Sequence, residues 1–218
     1  MICFVIAMEK EARPVIEAMA KKTEKTVYGK TVVTGELFGK NVSVIICGVG
    51  KVNAASSAQY AIDVLRADKI INLGVAGALN GDMNVGGVYS ITHAVQYDFD
   101  LTQINGTEIG TLDEFEENWL SLSINSSFPR KRLATGDRFN DSKEDYKLLT
   151  DVLRADIRDM EGGAIAQVCA HSNTEFYSYK IISDIAGSGS TPEQYFQNLD
   201  KCFLSLKDNL AKIFNEVQ

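Results

Sequence analysis

Arg158-Asp159-Met160-Glu161-Gly162-Gly163-Ala164 carries the chain from a short strand into a helix, and Ile181-Ile182-Ser183-Asp184 ends a second strand on an acid about twenty residues later. A third acid, Glu11 in Ile6-Ala7-Met8-Glu9-Lys10-Glu11, follows the first strand. Acids at the ends of three separate strands suit a site that needs a general acid, a general base and a hydroxyl acceptor.

Outward from these junctions, strands and helices alternate. Ile2–Ala7 is a continuous apolar run fit for a strand buried on both faces. A helix is expected from Glu9 to about Lys21. Strands Thr31–Phe38 and Val42–Cys47 are joined by a Gly39-Lys40-Asn41 turn. Helix Lys51–Leu65 carries Ala55, Ala58, Ile62 and Leu65 on one face, and Lys69–Leu73 and Val85–Val95 return to extended chain. Arg130–Thr135, Asp156–Arg158 and Phe176–Ile182 read as short strands, and Met160–Ala170 as a helix. Phe196, Leu199, Phe203, Leu206, Leu210, Ile213 and Val217 recur at spacings of three and four, which predicts a C-terminal helix docked along one stripe. The alternation implies a three-layer α/β/α sandwich with a central mixed sheet. No repeat or linker divides the chain, so one domain is expected. Gln103 to Phe128 is the irregular stretch, read as a functional loop or interface element.

Composition narrows the function. With 22 basic and 29 acidic residues, the chain carries a formal charge of −7 and a pI near 4.9. That balance disfavours nucleic acid and anionic membranes as partners. The first strand has no basic flank, and no apolar run approaches the ~18 residues of a membrane span. Cys3, Cys47, Cys169 and Cys202 are scattered, without a CxxC pair, as free thiols of a cytoplasmic protein would be. His93 and His171 are the only histidines, too few for a His-rich metal site.

Each motif has a bland reading. Gly48-Val49-Gly50-Lys51-Val52-Asn53 follows a strand and opens a helix as a dinucleotide fingerprint would, but Asn53 replaces the third glycine. Its glycines are better suited to a tight turn and close approach to a ligand. The small residues of Gly74-Val75-Ala76-Gly77 serve packing or make room for a sugar. Glu11 suits a helix N-terminus, where its charge complements the helix dipole. Asp184 at the end of an apolar strand is a helix cap or a site acid. Gly162-Gly163 weakens a helix start and so implies a reason such as close ligand approach. Phe139, in Thr135-Gly136-Asp137-Arg138-Phe139, is a core residue or a ring that stacks on a base.

Taken together and in chain order, these five motifs resemble the methylthioadenosine/S-adenosylhomocysteine nucleosidases of the wider purine nucleoside phosphorylase family, across nearly the whole chain. The resemblance implies a partly barrel-like sheet and hydrolysis of the N-glycosidic bond of 5′-modified adenosines: methylthioadenosine, adenosylhomocysteine and 5′-deoxyadenosine. It implies that Asp184 protonates N7 of the base and Glu11 activates the attacking water. Met160 and Glu161 would lie under the ribose, with Glu161 accepting from its hydroxyls. Phe139 would stack on the purine and the backbone at Asn140 would read its edge, while Met8, Val49, Asp159 and Ser183 complete the pocket. Val75 stands where the resemblance leads us to expect Ser, Lys180 where Arg is expected, and Asp159 where Glu is expected. No cofactor or metal is implied. A homodimer is, with Leu101, Ile104 and the loop through Leu112 reaching the neighbour's pocket. A nucleosidase for futalosine-like nucleosides, a phosphorylase and a catalytically weakened nucleoside-binding protein are the alternatives, the last motivated by Val75 and Lys180.

Overall fold

The computed structural model describes residues 1–218. The first half comprises β1 (Ile2–Ile6), α1 (Glu9–Ala18), β2 (Ala20–Val27), β3 (Lys30–Leu37), β4 (Lys40–Ile46), α2 (Lys51–Asp63), β5 (Lys69–Ala78) and β6 (Val88–Gln96). Next come α3 (Thr102–Asn105), β7 (Leu120–Ser121), β8 (Arg130–Thr135) and α4 (Lys143–Lys147), which widens into a π turn over Leu148–Val152. The chain ends with β9 (Ile157–Asp159), α5 (Gly162–Ser172), β10 (Glu175–Ile185) and α6 (Thr191–Val217).

All strands belong to one mixed sheet in the order β10-β6-β8-β9-β5-β1-β4-β3-β2, with β7 beside β6. An added β10–β5 pairing closes β10, β6, β8, β9 and β5 into a five-stranded barrel. From it β1, β4, β3 and β2 extend as an open wing. The expected sandwich is present: α2 and α5 cover one face with Ala54, Ala58, Ala61, Ile165, Ala166 and Cys169. On the other, α1 and α6 contribute Ala12, Val15, Leu206, Leu210, Ile213 and Phe214.

Several expectations need correction. The helix from Glu9 stops at Ala18, and Ala20–Val27 is a strand. Seven of its eight residues are exposed, so no hydrophobic alternation marked it. The β3–β4 turn is Phe38-Gly39, with φ of 47° and 80°, rather than Gly39-Lys40-Asn41. Positive φ at both central residues matches the right-handed twist of the hairpin, and Tyr28-Gly29 repeats the device between β2 and β3. Strand β5 runs through Gly74 and Gly77 to Ala78, past the predicted end at Leu73. Gly162-Gly163 serves helix–sheet packing: a Cβ at Gly162 falls 2.4 Å from Leu133 Cδ2, and one at Gly163 falls 2.9 Å from Thr135 Cβ. In the irregular stretch Leu112, Leu120 and Leu122 pack into the chain's own core, while Ile104 is 81% exposed.

Helix α6 shows why the apolar stripe matters. Cys202, Leu206, Leu210, Ile213, Phe214 and Val217 are buried, and the Phe214 ring stacks 6.3 Å from Phe4 of the first strand. Phe196, counted in the predicted stripe, is 71% exposed because the helix begins beyond the sheet, at the mouth of a cavity. Burying a phenylalanine here ties both chain ends to the sheet. Phe214→Ala is expected to lower the unfolding free energy by about 3–5 kcal/mol in urea titrations. A loss under about 1 kcal/mol would mean the helix end contributes little to the core.

Candidate active site

The C-terminal ends of β1, β5 and β10 converge on a cavity of about 410 Å³, within the usual range for small-molecule sites. Its wall includes Met8, Glu11, Val49, Val75, Phe139, Asp159, Met160, Glu161, Ser183 and Asp184. Two residues expected there do not line it. Asn140 turns its amide to Asp145 Oδ2 at 2.9 Å and accepts from the Ser142 amide. Lys180 lies wholly buried, pairing with Asp159 Oδ2 at 2.7 Å.

Glu11 is the third residue of α1 and reaches back to its own N-cap, accepting from the Met8 amide at 3.0 Å. Its other oxygen accepts from the Val75 amide at 2.8 Å. Burial nevertheless dominates and pushes its pKa up to about 7, against the opposing pull of Val75 and of Lys180. Space for this carboxylate comes from Gly74, where a Cβ would stand 3.0 Å from Oε1.

Glu161 is held from another element. Its Oε1 accepts from the Gly50 amide at 2.9 Å, where Gly50 takes φ of 101° at the start of α2. Burial, and then the neighbouring Asp159, also raise Glu161 to about 7. Asp159 itself is consumed by structure: it accepts from Thr135 Oγ1, the Gly162 amide and Lys180. Burial alone would lower the Lys180 pKa, but Asp159, Glu161 and Glu11 outweigh it and raise it, so the lysine remains a cation.

Asp184 follows a β-bulge between Ile182 and Asp184, a device that re-aims side chains at functional ends of strands. Ser183 Oγ lies 2.7 Å from its Oδ2, whereas Oδ1 is buried without a hydrogen-bond partner. Burial raises its pKa, opposed by Ser183 and then Arg158. Gly77 leaves it room, since a Cβ there would fall 2.7 Å from Oδ1. Both glycines of Gly74-Val75-Ala76-Gly77 therefore accommodate carboxylates.

An apolar rim completes the cavity. The rings of Phe139 and Tyr195 meet edge-on at 5.4 Å, and the Tyr195 hydroxyl reaches the Met8 sulfur at 3.5 Å. The loop bearing Phe139 is anchored at its start: Asp137 accepts from the Lys51 amide and Asp98 from the Asp137 amide. Residues 1–217 match the model of the phosphorylase superfamily.

The chain belongs to the phosphorylase superfamily. The 5′-methylthioadenosine/S-adenosylhomocysteine nucleosidase of Bacillus thuringiensis subsp. konkukian is 29% identical over 230 residues, spanning 100% of this chain and 99% of the relative. The crystal structure of such a nucleosidase from Colwellia psychrerythraea, in complex with adenine, matches with a TM-score of 0.90 at 26% identity, covering 99% and 95% of the two chains. The native futalosine hydrolase of Helicobacter pylori also reaches 0.90, at 23% identity and 99% and 97% coverage, a likeness of fold alone.

Four lining residues of this superfamily member were not expected at the cavity: Arg138 and Arg158, quoted in motifs without a role, Phe196, counted in the core stripe, and Tyr195. The two aromatics open a helix that only the tertiary fold brings over the cavity. Arg158 opens the motif that contains Asp159, but its place beside Asp184 follows from strand register.

The raised carboxyls also set a stability signature. A Glu11 whose folded pKa is about 7, against an ordinary 4.5, binds its proton more tightly folded than unfolded. Its contribution is therefore most favourable below 4.5 and is lost as pH rises to 7. The melting temperature of Glu11→Gln minus that of wild type should grow across this window, measured without ligand. A difference independent of pH would show that Glu11 is not buried as a charge.

Proposed function

We propose that this protein hydrolyses the N-glycosidic bond of 5′-modified adenosines, methylthioadenosine and adenosylhomocysteine foremost, releasing adenine. The reading rests on one observation: two buried carboxyls, both shifted upward, face one cavity from opposite ends, Asp184 with a free oxygen and Glu11 held by two amides. Cleavage of the C1′–N9 bond sends its electron pair into the purine and leaves positive character on the ribose. Asp184 then delivers its proton to N7, so that the base leaves neutral. Glu11 takes a proton from the water whose oxygen bonds to C1′. Burial disfavours the ionised form of Asp184 and raises Glu11 to about 7, directions that suit a proton donor and a base near neutrality. Glu161 accepts from the ribose hydroxyls, Met160 lies beneath the sugar and Phe139 stacks on the purine.

Hydrolysis is favoured over phosphorolysis by the surroundings of Glu11. The Val75 amide, a donor a phosphate would use, already serves Glu11. The cation nearby, Lys180, is spent on Asp159. Arg138 is bound to Asp145 at 2.8 Å, and Arg158 sits over Gly77, about 10 Å along β5 from Gly74. We place the enzyme in the cytoplasm, in keeping with four free, buried thiols.

Purified protein is expected to convert methylthioadenosine to adenine and methylthioribose at the same rate with and without phosphate. Asp184→Asn should lower kcat by about a hundred- to ten-thousand-fold, and Glu11→Gln by a similar factor. If Asp184→Asn keeps more than about a tenth of wild-type turnover, the acid lies elsewhere.

We further propose that the enzyme is a homodimer. The cavity rim leaves Val49, Phe139 and Phe196 between 48% and 71% exposed, and Ile104 stands out at 81%. Light scattering should give twice the 23.9 kDa chain mass; the monomer mass at micromolar concentration would contradict the assignment.

A further inference from the structure

Across the floor of the cavity, register aligns three residues on neighbouring strands: Arg158 of β9 opposite Gly77 of β5, and Gly77 opposite Asp184 of β10. Cross-strand partners point their side chains to the same face. Gly77 has none, so the two flanking side chains lean over it from either side. A Cβ on Gly77 would lie 2.7 Å from Asp184 Oδ1 and 3.2 Å from Arg158 Nε.

Arg158 brings a fork of five N–H donors to this place. Its one side-chain hydrogen bond is Nη2 to Thr191 Oγ1, at 3.3 Å. At C6 an adenosine gives it nothing to bind, because the amine there is a donor facing a donor, and N7 is the one acceptor left on that edge. A purine with a carbonyl at C6 presents two adjacent acceptors, O6 and N7, the pair that arginine recognises in guanine.

We propose, on the reading that this cavity cleaves purine nucleosides, that Arg158 is a specificity-determining residue through which the enzyme also takes 6-oxopurine nucleosides, Arg158 donating to O6 while Asp184 holds N7. Adenine nucleosides engage Asp184 alone at that edge. The enzyme thereby accepts two base classes through one acid and one neighbouring cation. A purely electrostatic role for Arg158 beside Asp184 would act on both base classes equally, which separates the two roles experimentally.

The test compares kcat/KM for methylthioadenosine and methylthioinosine, which differ in the group at C6, in wild type and Arg158→Leu. Wild type is expected to cleave both. Arg158→Leu should reduce the inosine-to-adenosine ratio by about 10- to 100-fold, the range of a charge-assisted hydrogen bond. A change in that ratio below about threefold overturns the inference, while cleavage of methylthioadenosine in the same assay leaves the hydrolase reading standing. Cleavage of neither substrate defeats that reading instead, and calorimetry with the free bases then decides the base preference. Hypoxanthine affinity falling selectively in Arg158→Leu, against that of adenine, supports it; equal loss of both, or none, overturns it. Arg158→Lys, which keeps the charge and loses the fork, should retain an intermediate ratio, and thermal melts of both variants verify folding.

Discussion

The site depends on one buried ion pair. Lys180 and Asp159 meet at 2.7 Å with side chains only 1% exposed, and Glu11 and Glu161 are arranged around them. Lys180 arrives on β10, Asp159 ends β9, and the same Asp159 oxygen accepts the first amide of α5. Two strands and a helix start are thus fixed by one contact. Removing either partner from such a pair leaves an uncompensated buried charge, typically costing about 3–5 kcal/mol. The ammonium also offsets repulsion among Glu11, Glu161 and Asp159, without which three acids would not share so dry a space. A lysine, a point charge on a flexible stem, meets one carboxylate here and leaves Glu11 to backbone amides.

Those amides belong to turns and strand ends that small residues keep open. Gly74 and Gly77 lie three residues apart on β5, and each surrenders its side-chain volume to an acid. Glu11 and Asp184 therefore occupy a strand surface that any larger residue would cover. Burial then raises both groups, so the packing that seats them also opposes their ionisation. The fold carries that cost in its two packed layers, where the sheet's faces are sealed by four helices.

Legibility in the sequence followed burial. The buried strand at Ile2, the part of the α6 stripe from Leu206 to Val217 and the acids at Glu11, Glu161 and Asp184 all lay in patterns with a period or a junction. Strand β2 was hidden because its exposed lysines and threonines carry no pattern of burial, and lysine extends a helix as readily as a strand. Gly162-Gly163 was noticed for its oddity, but the cause lies in Leu133 and Thr135, distant in sequence. Asn140 was expected to serve through its backbone, and its side chain is free to fold back onto Asp145 beside the cavity wall. Arg158, Tyr195 and Phe196 reach the cavity through register and helix docking, which no window of sequence contains.

The sheet is closed at one end and open at the other, and the open end has its own logic. A barrel has no unpaired margin; β2, by contrast, leaves a row of backbone groups free at the limit of the wing. That row is broken by an irregularity between Ala20 and Thr23, with Lys21 at a φ of 50°, and it carries Lys21, Lys22 and Lys25. A second sheet docking there would have to match a bent template and bury ammonium groups. The polar, unremarkable segment that resists reading as a strand thus discourages edge-to-edge pairing, and the exposed lysines that blunt the edge are the residues that hid it.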